Sequence, residues 1–216
     1  MSRWGMATRR SDALSQQRIV AAAIEILDAD GEQALTFRAL AARLSTGAGA
    51  IYHHVANKNE LLSAATEEVV GAVPGDSILA VALGLFDAID AHPWAGAHLT
   101  REPGQDAMLA IYESLGGRLP ALGVPERAWF DAVTVLANYV VGAAWQNAAN
   151  GVEAARRRDT DRAAVLGAVA DRWSADPERF PFVHAIAGAL RAHDDREQFA
   201  AGVDLILAGI LSISDQ

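Results

Sequence analysis

Apolar residues recur along this chain with a helical period from Ile19 onward, and the alternation expected of strands is nowhere sustained. Ile19, Ala22, Ala23, Ile26 and Leu27 form one stripe, with Ser15 placed to cap its helix and Gly31 to end it. The spacing predicts a helix over 16–29. Phe37, Leu40, Ala41 and Leu44 repeat the pattern in a shorter run, and Thr36 stands where a side-chain oxygen caps the first free N–H groups. Ser45, Thr46 and Gly47 make a tight polar turn. Ala48 to His54 then reads as a second short helix with Ile51 and Val55 on its inner face. Two short helices joined by such a turn are the helix-turn-helix layout, whose second helix enters the major groove of DNA.

Downstream, Asn57-Lys58 leads into a helix over 59–73, striped by Leu61, Leu62, Ala65, Val69 and Val73 and stopped by Pro74-Gly75. This helix links the N-terminal unit to the rest. Further helical windows at 77–91, 94–100, 105–119, 126–150, 160–174, 181–192 and 196–212 alternate with His92-Pro93, Pro103-Gly104, Pro120, Gly123 to Pro125, Gly151 and Pro177. Gly151 to Asp159 reads as a loop, and its Arg156-Arg157-Arg158 run as a solvated charge cluster rather than a second nucleic-acid patch. The first fourteen residues are polar and basic without period and read as a disordered arm. Arg9 and Arg10 there are alternatively placed to reach phosphates, and Met6 is an alternative start. The fold class is all-α.

Composition agrees: of 216 residues 51% are apolar, and Ala and Leu favour helix throughout. The net charge of −9 looks wrong for a DNA-binding protein until it is located. Residues 1–58 hold seven Lys and Arg against five acids, a surplus of +2, and the remainder holds eleven against twenty-two. An acidic body turns the basic end toward a polyanion. Without cysteine there is no disulfide, thiolate nucleophile or thiolate metal site. No run approaches the roughly 18 apolar residues of a membrane span, and the N-terminus lacks an apolar signal core. A cytoplasmic protein without membrane partner is expected. No nucleophile elbow, glycine-rich phosphate loop or HExxH run is present, so no enzyme and no cofactor are expected.

Tyr52, His54, Val55 and Lys58, followed by Glu60-Leu61-Leu62, form a run more specific than a general helix-turn-helix, and Gly31, Leu35, Thr36 and Ala39-Leu40-Ala41 extend it upstream. Over about 16–67 the chain resembles the DNA-binding domain of the TetR family of transcriptional repressors. The resemblance implies three units: the arm at 1–14, a three-helix DNA-binding domain at 15–62 and a helical ligand-binding and dimerisation domain at 63–216. It implies that Thr36, Arg38, Tyr52, His54 and Lys58 contact or flank phosphates, and that His53 faces bases or backbone; for Tyr52, core packing with the hydroxyl at the rim is an equal alternative. Where the family often carries polar readers, this chain has Gly47, Ala48, Gly49 and Ala50. Ala48 or Ala50 would press on a thymine methyl, and specificity would rest on Thr46, Arg38, His53 and DNA shape. His53 and His54 point about 100° apart on a helix, so they converge poorly on a metal, and none is expected.

The resemblance also implies a homodimer on a palindromic double-stranded DNA operator, released by a small-molecule effector. Its interface would be a four-helix bundle. The two most apolar helices, over 128–149 and the last, supply Val133, Val140, Val141, Val203, Ile206 and Ile210 as candidates, with burial inside one subunit as the competing reading. Candidate pocket residues are Phe86, Trp94, His98, Met108, Tyr112, Trp129, Tyr139 and Trp145, each of which also suits plain core. A helical interaction protein without specific DNA binding is the alternative, and it leaves Arg38, Tyr52 and Lys58 unexplained.

Overall fold

The computed structural model describes residues 14–71, 73–101, 105–157 and 161–214, and among them eleven α-helices and no strand. The arm at 1–13 and the side chains of the Arg156–Arg158 run lie outside the described residues, as does the Pro103-Gly104 break.

The head begins with α1 (Gln16–Asp30), capped as expected by the Ser15 hydroxyl, which accepts from Arg18 N. Gly31 ends it at φ 77° and ψ 176°, a backbone region that side-chain-bearing residues avoid. One short 3-10 turn (Glu32–Ala34) leads to α2 (Phe37–Arg43), then α3 (Ala48–Tyr52) and α4 (Lys58–Val70). The α1 stripe of Ile19, Ala22, Ala23, Ile26 and Leu27 is buried against Leu35, Leu40, Ile51, Val55, Leu61 and Leu62. At about 25 cal/mol per Å² of apolar surface, side chains of this kind supply most of what holds so small a unit together.

The body follows as α5 (Ile78–Ala91), α6 (Pro93–Arg101), α7 (Asp106–Gly116), α8 (Trp129–Arg157), α9 (Arg162–Ser174), α10 (Pro181–Leu190) and α11 (Asp195–Ser214). Its core joins Val81, Leu85 and Ile89 of α5 to Ile111 and Leu115 of α7, Leu136, Ala137 and Val140 of α8, and Phe199 and Val203 of α11. Head and body meet along α4, where Ala65 closes the first core, Val70 opens the second and Val69 packs on both. The helices α9 and α10 pack chiefly on each other, and Arg162 ties the pair to Asp195 at 2.6 Å. No single helix among the described residues is long and apolar enough to cross a membrane.

Two expectations are corrected. The predicted loop after Gly151 is helical to Arg157, so α8 runs for 29 residues. An isolated helical glycine costs only about 1 kcal/mol, and the Ala, Glu and Arg that follow are good helix formers. The six candidate interface residues also lie elsewhere. Val140 and Val203 are fully buried, Val141 and Ile210 nearly so, and Val133 and Ile206 pack half-buried on the same core. All six pack on the core of their own subunit, which favours the competing reading of burial inside one subunit. Helix α8 carries apolar residues on two faces, and periodicity does not say which one a subunit keeps. The outward face presents Val135, Asn138, Gly142 and Trp145, and α11 presents Leu205, Ala208, Gly209 and Ser212.

Candidate nucleic-acid interface

Two short helices and their turn expose one continuous face. The α2 helix starts at Thr36, whose Oγ1 accepts from Ala39 N at 3.1 Å. It is pinned to α1 by Arg43, which meets Glu25 at 2.6 Å. The turn closes with Thr46 N donating to Ala41 O at 2.9 Å. Ser45 sits in that turn at φ 51°, the left-handed region that costs a non-glycine residue about 1–2 kcal/mol. Helix α3 then follows Gly47, which offers no side-chain cap, and runs only from Ala48 to Tyr52, so His53 and His54 stand just past its last turn rather than within it. Ile51 and Val55 anchor it in the head core as the spacing requires.

Most residues expected to meet DNA are brought together here. Thr36, Arg38, Tyr52, His53 and His54 are exposed, and Thr46, Ala48 and Ala50 are half-exposed on the same side. Tyr52 is 54% exposed and lies flat on Phe37, ring centroids 4.2 Å apart and planes within 5°. One face of the ring therefore packs on Phe37 while about half of the residue stays open to solvent. Arg38 forms no ion pair among the described residues.

Lys58 is placed differently. Its Nζ donates to Glu32 O at 2.6 Å, so the ammonium staples the 3-10 turn that follows α1 to the start of α4. Beside it Asn57 Oδ1 caps α4 by accepting from Glu60 N at 2.9 Å, while Glu60 accepts from Ala56 N at 2.7 Å. Among the described residues no cluster of three or more His, Cys, Asp or Glu is arranged to hold a metal.

Sequence reasoning missed a polar clasp between head and body. Asp28 Oδ1, at the end of α1, accepts from Trp94 Nε1 and bonds His92 Nδ1, both at 2.7 Å. Arg101, at the far end of α6, meets Glu32 at 2.6 Å. That hydrogen bond, with the positive charge behind it, holds the Glu32 carboxyl below its usual range against the opposing effect of burial. His98, in the middle of α6, is buried and lies 3.2 Å from Ser63 Oγ of α4.

The eight candidate pocket residues are not brought together. Trp94 belongs to the head core and His98 to the junction with α4. Met108 is buried and Tyr112 half-buried in the body core. Trp129 donates to Val124 O at 2.8 Å, and Trp145 leans on Gly96 with its indole partly exposed. Among the described residues, Phe86 and Tyr139 line one cleft of about 300 Å³ between α5, α8 and α11. Its polar lining of Gln146, Asn147, Asn150, His193, Asp195 and Gln198 was missed, although a polar run within the otherwise apolar α8 was part of its trace in the sequence.

The described model of bacterial regulatory proteins of the tetR family matches residues 19–65, and that of the tetracyclin repressor-like C-terminal domain matches residues 76–213. An HTH-type transcriptional regulator of Saccharopolyspora erythraea is 32% identical over 216 residues, covering 94% of this chain and 87% of that protein. The transcriptional regulator SCO7222, a TetR from Streptomyces coelicolor, superposes with a TM-score of 0.84 at 47% identity, over 94% of this chain and all of that one. The Streptomyces coelicolor TetR family protein ActR, solved in complex with (S)-DNPA, does so at 0.72 and 25% identity, over 93% and 98%. With both of its halves matched and the open helix-turn-helix face in place, this chain belongs to the TetR family of transcriptional regulators.

Proposed function

We propose that the protein is a homodimeric repressor that binds a palindromic operator in the cytoplasm and releases it when a small molecule occupies the C-terminal domain. The observation that carries this reading is the exposed α2–α3 face, with Arg38, Thr46, Tyr52, His53 and His54 open on a head clasped to its body at Asp28 and Glu32. Residues 15–62 contact DNA and 63–216 sense and dimerise. Phosphate contacts through Arg38, Thr36 and Tyr52 set affinity, and His53 with Thr46 and the two alanines reads bases. Two heads reach half-sites about one helical turn apart, or a multiple of it.

The outward stripes of α8 and α11 form the dimer interface in this reading. A Cβ added at Gly142 or Gly209 meets nothing within 4 Å of its own subunit, which leaves room for a partner helix. ActR, solved with (S)-DNPA, supports an effector of the body. The test is binding to genomic fragments, including the DNA upstream of the gene, between about 50 and 200 mM salt. Sequence-selective binding that weakens steeply with salt is the expected result. Equal weak binding to every fragment overturns the proposal.

A further inference from the structure

The cleft between α5, α8 and α11 has a floor of three rings and a rim of amides. Phe86 and Phe199 meet at 4.7 Å, and Tyr139 stacks on Phe199 at 5.6 Å with planes within 19°. Tyr139 donates to Phe199 O at 3.2 Å, and burial raises its phenol above the ordinary range, so it stays neutral. Gly202 makes this floor possible: a Cβ there would fall 1.9 Å from the Tyr139 hydroxyl. Above the rings stand Gln146, Asn150 and Gln198, neutral groups that both donate and accept.

Among the described residues, the ionisable groups that line the space are His193 and Asp195, and they are paired with each other. Asp195 is taken by His193 at 2.8 Å and Arg162 at 2.6 Å, and Arg196 by Asp87 at 2.9 Å. Asn147 donates to Asp90 at 2.8 Å. Carboxylates surround the cleft and their cations are already matched, so an anion gains nothing by entering. About 300 Å³ is the lower end of ligand pockets, room for two fused rings rather than four.

We propose that this cleft is the effector site and that it takes a neutral, planar aromatic molecule of about two fused rings bearing hydroxyl or carbonyl oxygens. The assignment rests on the ligand-released reading above. Its route to the head is short. Phe86 lines the cleft and His92 ends the same helix, about 9 Å further on at the helical rise of ~1.5 Å per residue. His92 bonds Asp28, so a ligand that shifts α5 pulls on the clasp. The ligand must favour the displaced clasp by its own differential affinity.

Calorimetric titration of the full-length protein with 2,7-dihydroxynaphthalene, naphthalene-2-sulfonate and 1-decanol tests this. The dihydroxy compound is expected to bind at least about tenfold more tightly than either of the others. Ala143→Phe, which fills the cleft, and the double variant Gln146→Ala, Asn150→Ala are each expected to weaken it by about tenfold or more, with circular dichroism and DNA binding unchanged. Should Ala143→Phe fail to fold, the amide variant decides. Undiminished binding to the variants, a preference for the sulfonate or the alcohol, or no binding at all overturns the assignment. Selective DNA binding without probe binding would sink the cleft alone, whereas probe binding lost in the variants without selective DNA binding would sink the proposed function and leave the cleft standing.

Discussion

Trp94 Nε1 donates a 2.7 Å hydrogen bond to Asp28 Oδ1, joining residues sixty-six positions apart. The indole is 8% exposed and lies in the same core as Ile26 and Leu62, so a residue of the body completes the head. Trp94→Phe keeps most of the burial and loses the bond, and is expected to cost about 1–2 kcal/mol. Trp94→Ala should cost about 3–5 kcal/mol. Urea unfolding of both variants checks the order, and equal costs would show that the hydrogen bond and not the packing carries the contact.

Ser45 occupies the left-handed region at φ 51° without being glycine. Ser45→Gly is therefore expected to stabilise the head by about 0.5–1 kcal/mol, the relief of strain exceeding the added freedom of the unfolded chain. Ser45→Val should destabilise it by more than that. Thermal melts of the two variants, read with the same probe, decide the sign.

Arg38 and Lys58 separate in their effect on DNA. Arg38→Ala is expected to weaken binding to all sequences and to lower the salt slope by about one. Lys58→Met should leave the slope nearly unchanged and instead loosen the head, because its ammonium is held by Glu32 O. Titrations at several salt concentrations, beside unfolding curves, test both. His53→Ala should change sequence preference more than affinity, and an unaltered selected sequence would remove His53 from the readers.

Glu32 links stability to acidity. Its folded pKa is lowered from 4.5, first by the hydrogen bond from Arg101, so its contribution is present above that value. It is lost as pH falls through the lower folded pKa. The group is partly exposed, so the effect is modest. Glu32→Gln and Arg101→Ala should each flatten the fall in stability below about pH 4.5. A variant that keeps the wild-type acid limb would show that the pair contributes nothing measurable.

Gly142 and Gly209 test the proposed dimer. Gly142→Phe or Gly209→Phe meets open space within the subunit. Each variant is expected to keep its helix content and sediment as a monomer where the wild type sediments as a dimer. Normal dimers of both variants would move the interface off α8 and α11.

Much of the head was legible in the sequence because its signals are local. Ser15, Thr36 and Asn57 cap the helices they precede, and the spacing of Ile19, Ile26 and Leu40 names the buried face. Arg38, Tyr52, His53 and His54 were legible as exposed positions for the same reason. What sequence could not give was long-range partnership. Nothing local announces that Lys58 reaches Glu32 O, or that Trp94 bonds Asp28 sixty-six residues away. Val140 and Val141 read as interface because a two-faced apolar helix has the same period whichever side is turned inward.

The shared tryptophan sets a rule for engineering. A fragment ending after α4 would carry the helix-turn-helix surface but lack Trp94 and Ala95, which belong to its own core. Grafts of this head onto a foreign sensor should therefore bring α6 along, or supply another large ring at the same junction. Exchange of whole heads between relatives is constrained in the same way: each should travel with the piece of body that seals it.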